Sequence, residues 1–168
     1  MKKLFSGILF LFMLGLCQTT FAQGNYKSAI GLRLGSPLAI SYKTFVKDDI
    51  AAEAYVGFRS FGGYSFTTVN ISGQKHTPIA SVERLSWYYG AGLGAYFYNF
   101  DNDFIGDDGG SLGIGLQGYL GLDYCLADTP LNFSVDWIPT FFVSGFGNGF
   151  GAGYGTLAVR YILGRGEK

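Results

Sequence analysis

Apolar and polar positions alternate along most of this chain. From Leu85 to Tyr98 the odd positions include Leu85, Trp87, Ala91, Leu93 and Phe97, while the even ones include Tyr88, Gly90, Gly92, Gly94 and Tyr96. A period of two places these sets on opposite faces of one strand. One face is apolar with aromatics at both ends, and the other is glycine and tyrosine. Strands of soluble proteins usually run about five or six residues. The stretch Leu85–Phe100 is far longer and fits a tilted bilayer-crossing strand, which needs about 9–11 residues.

The same alternation predicts strands at Tyr26–Gly35, Leu38–Val46, Ile50–Phe61, Tyr64–His76, Leu85–Phe100, Leu112–Tyr124, Leu131–Val143 and Phe150–Leu163. Ser36-Pro37, Lys47–Asp49, Gly62-Gly63, Pro78–Arg84, Asn99–Ser111, Ala127–Pro130 and Ser144–Gly149 separate them. Pro139 cannot donate to a ladder and is expected at a bulge or strand end. No helix intervenes, so neighbours pair as antiparallel hairpins. Lipid cannot solvate an open sheet edge, and closure removes both edges. The expected fold is all-β: an eight-stranded antiparallel up-and-down transmembrane β-barrel. An even strand count puts both termini on one side. The longest connection, Asn99–Ser111, then falls on the other side, as outer-membrane barrels have it.

Composition supports a surface that does not face water. Charged residues are 14% of the chain and Gly is 27 of 168 residues, against usual shares of about 25% and about 7%. A soluble barrel of the lipocalin or streptavidin kind would carry its apolar face inward and coat its exterior with charge. Here the few charges share a face with glycine and tyrosine. Lys plus Arg equals Asp plus Glu at twelve each, so no basic excess exists to hold nucleic acid.

The first residues read as an address. Lys2 and Lys3 precede the apolar run Leu4–Cys17, which is shorter than the roughly 18–20 residues of a helical span. Thr20-Phe21-Ala22 presents small residues at the positions a signal peptidase reads. Residues 1–22 are expected to be a cleaved signal peptide and 23–168 the barrel domain. Leu16 before Cys17 does not suit lipidation. Cys125 alone then remains, as a passive small apolar residue.

With strands, turns and leader in place, the mature chain resembles the small eight-stranded outer-membrane barrels of the OmpA/OmpX type, porin-like proteins of Gram-negative bacteria. The resemblance is carried by GLRLG (31–35), GFRSFGGYSF (57–66), LSWYYGAG (85–92), LNFSVDWIP (131–139) and GFGAGYGTLAVRY (149–161). It implies an outer-membrane location, contact with outer-membrane lipid and lipopolysaccharide, insertion by the barrel assembly machinery, and a monomer. Such barrels usually end on an aromatic that the machinery reads; here Tyr161 is followed by further residues. No peptidoglycan-binding domain is read, so cell-wall anchoring is not expected.

Several motifs invite chemistry. Gly113–Gly118 spells G-x-G-x-x-G, but it lies inside an alternating strand rather than opening a helix, so no nucleotide is expected. Asp101, Asp103, Asp107 and Asp108 form an acidic external loop. Ile105 and Leu112 stand where an EF-hand needs its fifth-position and twelfth-position ligands, so the loop is expected to be solvated, with weak gathering of divalent ions as the alternative. His76 is the only histidine. Lipid-modifying barrels work near the outer leaflet, and His76 falls near the inner end. No catalytic residue and no cofactor is expected.

The inward face carries Arg33, Lys43, Glu53, Arg59, Asp123, Asp136 and Arg160. If Val46 pairs with Ile50 across the short turn, Lys43 faces Glu53. Around Ala127–Pro130 a comparable turn sets Asp123 opposite Asn132 and Tyr119 opposite Asp136, with Arg160 at a depth close to Asp136. Buried charges need partners. Eight strands leave an interior just wide enough for side chains, so the charges are expected to plug the lumen. The expected function is a non-enzymatic barrel with a structural or adhesive, surface-interaction role. The alternative is porin-like transport of small or apolar solutes.

Overall fold

The computed structural model describes residues 26–100, 110–145 and 149–164. The leader 1–22 and the acidic positions Asp101, Asp103, Asp107 and Asp108 lie outside the described residues. Eight strands follow one another: β1 (Ser28–Gly35), β2 (Leu38–Phe45), β3 (Ile50–Phe61), β4 (Tyr64–Pro78), β5 (Leu85–Phe100), β6 (Gly110–Cys125), β7 (Leu131–Ser144) and β8 (Gly149–Gly164). Each pairs antiparallel with its neighbour, and β8 returns to pair with β1, closing the barrel. Closure leaves no sheet edge unpaired.

Turn chemistry sets the register. Val46 N–H donates to Ile50 at 2.9 Å, closing a short turn between β2 and β3. That places Lys43 opposite Glu53, as the sequence predicts. Gly62-Gly63 joins β3 to β4, with Gly63 at φ 102°, a conformation that favours glycine. Pro139 interrupts the β7–β8 ladder, and the register shifts between Ile138 and Thr140. The β6–β7 register differs from the expected one by two residues. Leu126 N–H donates to Leu131 at 3.0 Å, so Asp123 faces Ser134 and Asp136 faces Gly121. A shift of two keeps every side chain on its face, which is why the inward set survives the correction.

The outer surface is apolar. Ile40 is 62% exposed, Leu93 49% and Leu120 51%. Aromatics collect toward the ends of this surface: Trp87, Tyr89, Tyr124 and Tyr161 toward the termini, and Phe58, Phe97, Phe141 and Phe150 toward the opposite end. An apolar band between two aromatic girdles is the exterior pattern that membrane-spanning β-barrels have.

The inner surface is packed because its small residues make room for large ones. A Cβ at Gly121 would lie 2.8 Å from Tyr88 Cζ and 2.7 Å from Asp136 Cβ. One at Gly94 would lie 2.4 Å from Asn70 Oδ1 and 2.8 Å from Tyr96 Cε2. The glycines opposite the tyrosines are therefore steric partners of the rings.

Candidate functional site: the charged lumen

Six of the seven sequence-predicted inward charges meet in one buried cluster on the terminal half of the barrel. Arg33, Lys43, Glu53, Asp123, Asp136 and Arg160 are each 4% exposed or less. Three cations thus face three anions. Glu53, on β3, accepts from Arg33 Nη1 at 2.8 Å, from Arg160 Nη2 at 2.5 Å and from Gln74 Nε2 at 2.9 Å. Asp136, on β7, accepts from Arg33 Nη2 at 2.7 Å, from the Tyr88 hydroxyl and from Thr156. Asp123, on β6, accepts from Lys43 Nζ at 3.3 Å, Tyr26 at 3.2 Å and Asn132 Nδ2 at 2.7 Å.

Two expectations change here. Lys43 and Glu53 share a register position, but the Lys43 ammonium reaches across the lumen to Asp123. Arg160 stands opposite Asn132 on β7, and its carboxylate partner is Glu53 rather than Asp136. Arg59 is half-buried in register with Phe66, toward the opposite end, and stands outside the cluster.

The rings complete the shell. Lys43 Nζ sits 4.3 Å from the Tyr88 centroid, and the Arg33 guanidinium 4.8 Å from that of Tyr55. Tyr26 precedes β1 at the terminal mouth. Burial, and then the negative charge of Asp123, push its phenol well above its ordinary value. It therefore stays protonated and donates to Asp123.

A second layer is neutral. Tyr55 and Tyr119 hydroxyls meet at 3.0 Å, Tyr119 donates to Gln117 Oε1 at 2.7 Å, and Gln117 Nε2 donates to Asn70 Oδ1 at 3.0 Å and Tyr96 at 2.8 Å. Beyond it lies an aromatic collar of Phe66, Tyr96, Tyr98, Phe100 and Phe142. The void between the charged and neutral layers measures about 10 Å³, at the lower limit of room for one water. Sequence reasoning set Tyr119 opposite Asp136, whereas its hydroxyl meets Tyr55 and Gln117, and it missed Tyr26 and Tyr88 as carboxylate ligands. Inward parity combined with the barrel's closure is the signal that could have found Tyr88, whereas Tyr26 shares the parity of the outward Ile30, Leu32 and Leu34.

The motifs set aside from the sequence have plain positions. Gly113–Gly118 lies inside β6. His76 is buried near the terminal end of β4, stacked on Tyr88 at 4.7 Å. Cys125 is a buried thiol packed with Tyr26, Ala29 and Ile162.

The architecture has a solved counterpart. The chain is similar to the N-terminal beta-barrel domain of Pseudomonas aeruginosa OprF, with a TM-score of 0.63 over 83% of this chain and 97% of that one, at 16% identity. The fold is that of the small OmpA-type barrels. No protein-family model matches the chain, and no curated protein does. At this identity the likeness speaks for the eight-stranded architecture, and the lumen must be read from its own residues.

Proposed function

We propose that this protein is an integral outer-membrane β-barrel with a closed lumen and no enzymatic activity, acting as a structural or surface-interaction element through its external loops. The observation that carries this reading is the neutralised cluster of Arg33, Lys43, Arg160, Glu53, Asp123 and Asp136, which spans the barrel from wall to wall. Each ionised group has at least one opposite charge, and each carboxylate has further donors. Such a network resists opening, because parting any pair leaves a buried charge alone. The void of about 10 Å³ above it has room for one water at most, which supports the closed reading. The apolar exterior between aromatic girdles supports contact with outer-membrane lipid and lipopolysaccharide. A barrel of this kind would be inserted by the barrel assembly machinery and work as a monomer.

Density-gradient fractionation of a Gram-negative cell making the protein tests the location. The reading expects it with the outer membrane after high-salt and carbonate washes. Recovery in the soluble periplasmic fraction would contradict it.

A further inference from the structure

A trough of about 520 Å³ crosses the outward face of β2, β3, β4 and β5. The strand register explains it. Thr44, Ala52, Gly73 and Ala91 stand opposite one another in a single row across the four strands. This row carries little side chain, and a Cβ at Gly73 would meet nothing within 4 Å. The rows to either side are larger. Tyr42, Ile71 and Leu93 form the wall away from the termini, and Ile50, Lys75 and Tyr89 form the wall toward them. Each wall row lies about 7 Å from the floor row, and four strands give the trough a length of about 14 Å. That shape has room for an extended hydrocarbon chain.

Lys75 supplies the second observation. Among the described residues, it is the one charged residue of the eight strands with outward parity. It stands in register with Tyr89 of the terminal girdle, the level at which headgroups meet a spanning barrel. Its stem covers apolar surface while its ammonium stays at the boundary. That ammonium lies 3.4 Å from the carboxylate of Asp49, in the β2–β3 turn, and both side chains are about half exposed. So exposed an ion pair is weak, and it re-partners at little cost.

Given the membrane reading above, we propose that the trough seats an acyl chain of a zwitterionic glycerophospholipid from the leaflet on the terminal side, with the headgroup phosphate on Lys75 and its primary ammonium on Asp49. Charge complementarity selects this occupant. The Lys75 ammonium donates to phosphate oxygens, and the lipid ammonium donates to the Asp49 carboxylate. An anionic headgroup would satisfy Lys75 but set its second negative group or hydroxyl beside Asp49, where repulsion opposes it. A lipid without a phosphate would leave the pair as it stands and gain nothing from it. A second copy of the chain fits less well. A two-fold dimer places the same patch on both partners, so trough would face trough and neither would be filled.

Native mass spectrometry of the protein in maltoside micelles tests this, with phosphatidylethanolamine, phosphatidylglycerol and diacylglycerol of identical chains as the added lipids. One phosphatidylethanolamine should bind saturably, about fivefold more tightly than either of the others, as a partly exposed charge contact would give. Lys75→Gln should remove its advantage over diacylglycerol, and Asp49→Asn its advantage over phosphatidylglycerol. Gly73→Leu fills the floor of the trough and should weaken all three lipids alike. An intact unboiled gel band confirms that each variant folds. Equal binding of the three lipids by the parent chain, or unchanged binding in Lys75→Gln and Gly73→Leu, would overturn the proposal. Either result would leave the membrane reading standing, because a protein that stays soluble without detergent is what contradicts that reading. A lipid-free pair of barrels that Gly73→Leu dissociates would give the trough to a second copy and overturn the lipid site.

Discussion

Lys43 and Glu53 stand directly opposite one another across β2 and β3, yet their charges serve different partners. The ammonium goes to Asp123, and the carboxylate is held by Arg33 and Arg160. A register pair is thus not an ion pair, because long side chains in a narrow barrel can cross the lumen. Double-mutant cycles should show this. Lys43→Met and Asp123→Asn should couple by at least about 0.5 kcal/mol, and Lys43→Met with Glu53→Gln by less. Urea unfolding in lipid vesicles would measure both, and the reverse ranking would mean that the crossing contact does not form.

Glu53 should be the most costly carboxylate to remove, since it alone bridges two arginines. Glu53→Gln is expected to destabilise the barrel by about 3–5 kcal/mol, in the range for breaking a buried charge pair. Asp123→Asn, which releases one lysine, should cost less. The same unfolding assay decides the order.

One inward and one outward glycine give a contrast. Gly121→Ala drives a methyl against Tyr88 and Asp136 and should cost about 1–3 kcal/mol. Gly73→Ala meets nothing within 4 Å and should stay within about 0.5 kcal/mol of the parent. Equal effects would mean that the rings do not fill the lumen as described.

Lipid exposure can be read from one substitution. Leu93 is 49% exposed and lies between the girdles. In a bilayer Leu93→Arg should destabilise by about 2–4 kcal/mol, as lipid-facing cations do near the midplane. On a water-facing surface it would be nearly neutral, and that outcome would remove the membrane from the account.

The faces were legible in the sequence because a strand has a period of two, and every inward charge except Arg59 is found in the cluster. Pro139 marked its bulge because proline cannot donate. The β2–β3 register was legible because Lys47–Asp49 is too short to allow slippage. The β6–β7 register was not, since the Leu126–Leu131 bond that sets it leaves several turn geometries open to the same residues. The ion-pair partners were illegible for a different reason. Lys43 and Asp123 meet only when eight strands close with one particular stagger, which local patterning does not specify. Tyr26 shows the same limit: in the predicted first strand it shares the parity of the outward Ile30, Leu32 and Leu34, and it turns inward to Asp123 only because it lies ahead of β1, where the β1–β8 register shifts.

The closed lumen is the central claim, and planar-bilayer conductance of the purified protein tests it most directly. The account predicts a silent membrane for the parent chain at moderate voltage, with discrete openings appearing only when the cluster is emptied, as in Arg33→Ala/Glu53→Ala/Arg160→Ala. Reproducible, defined openings from the parent chain would contradict it.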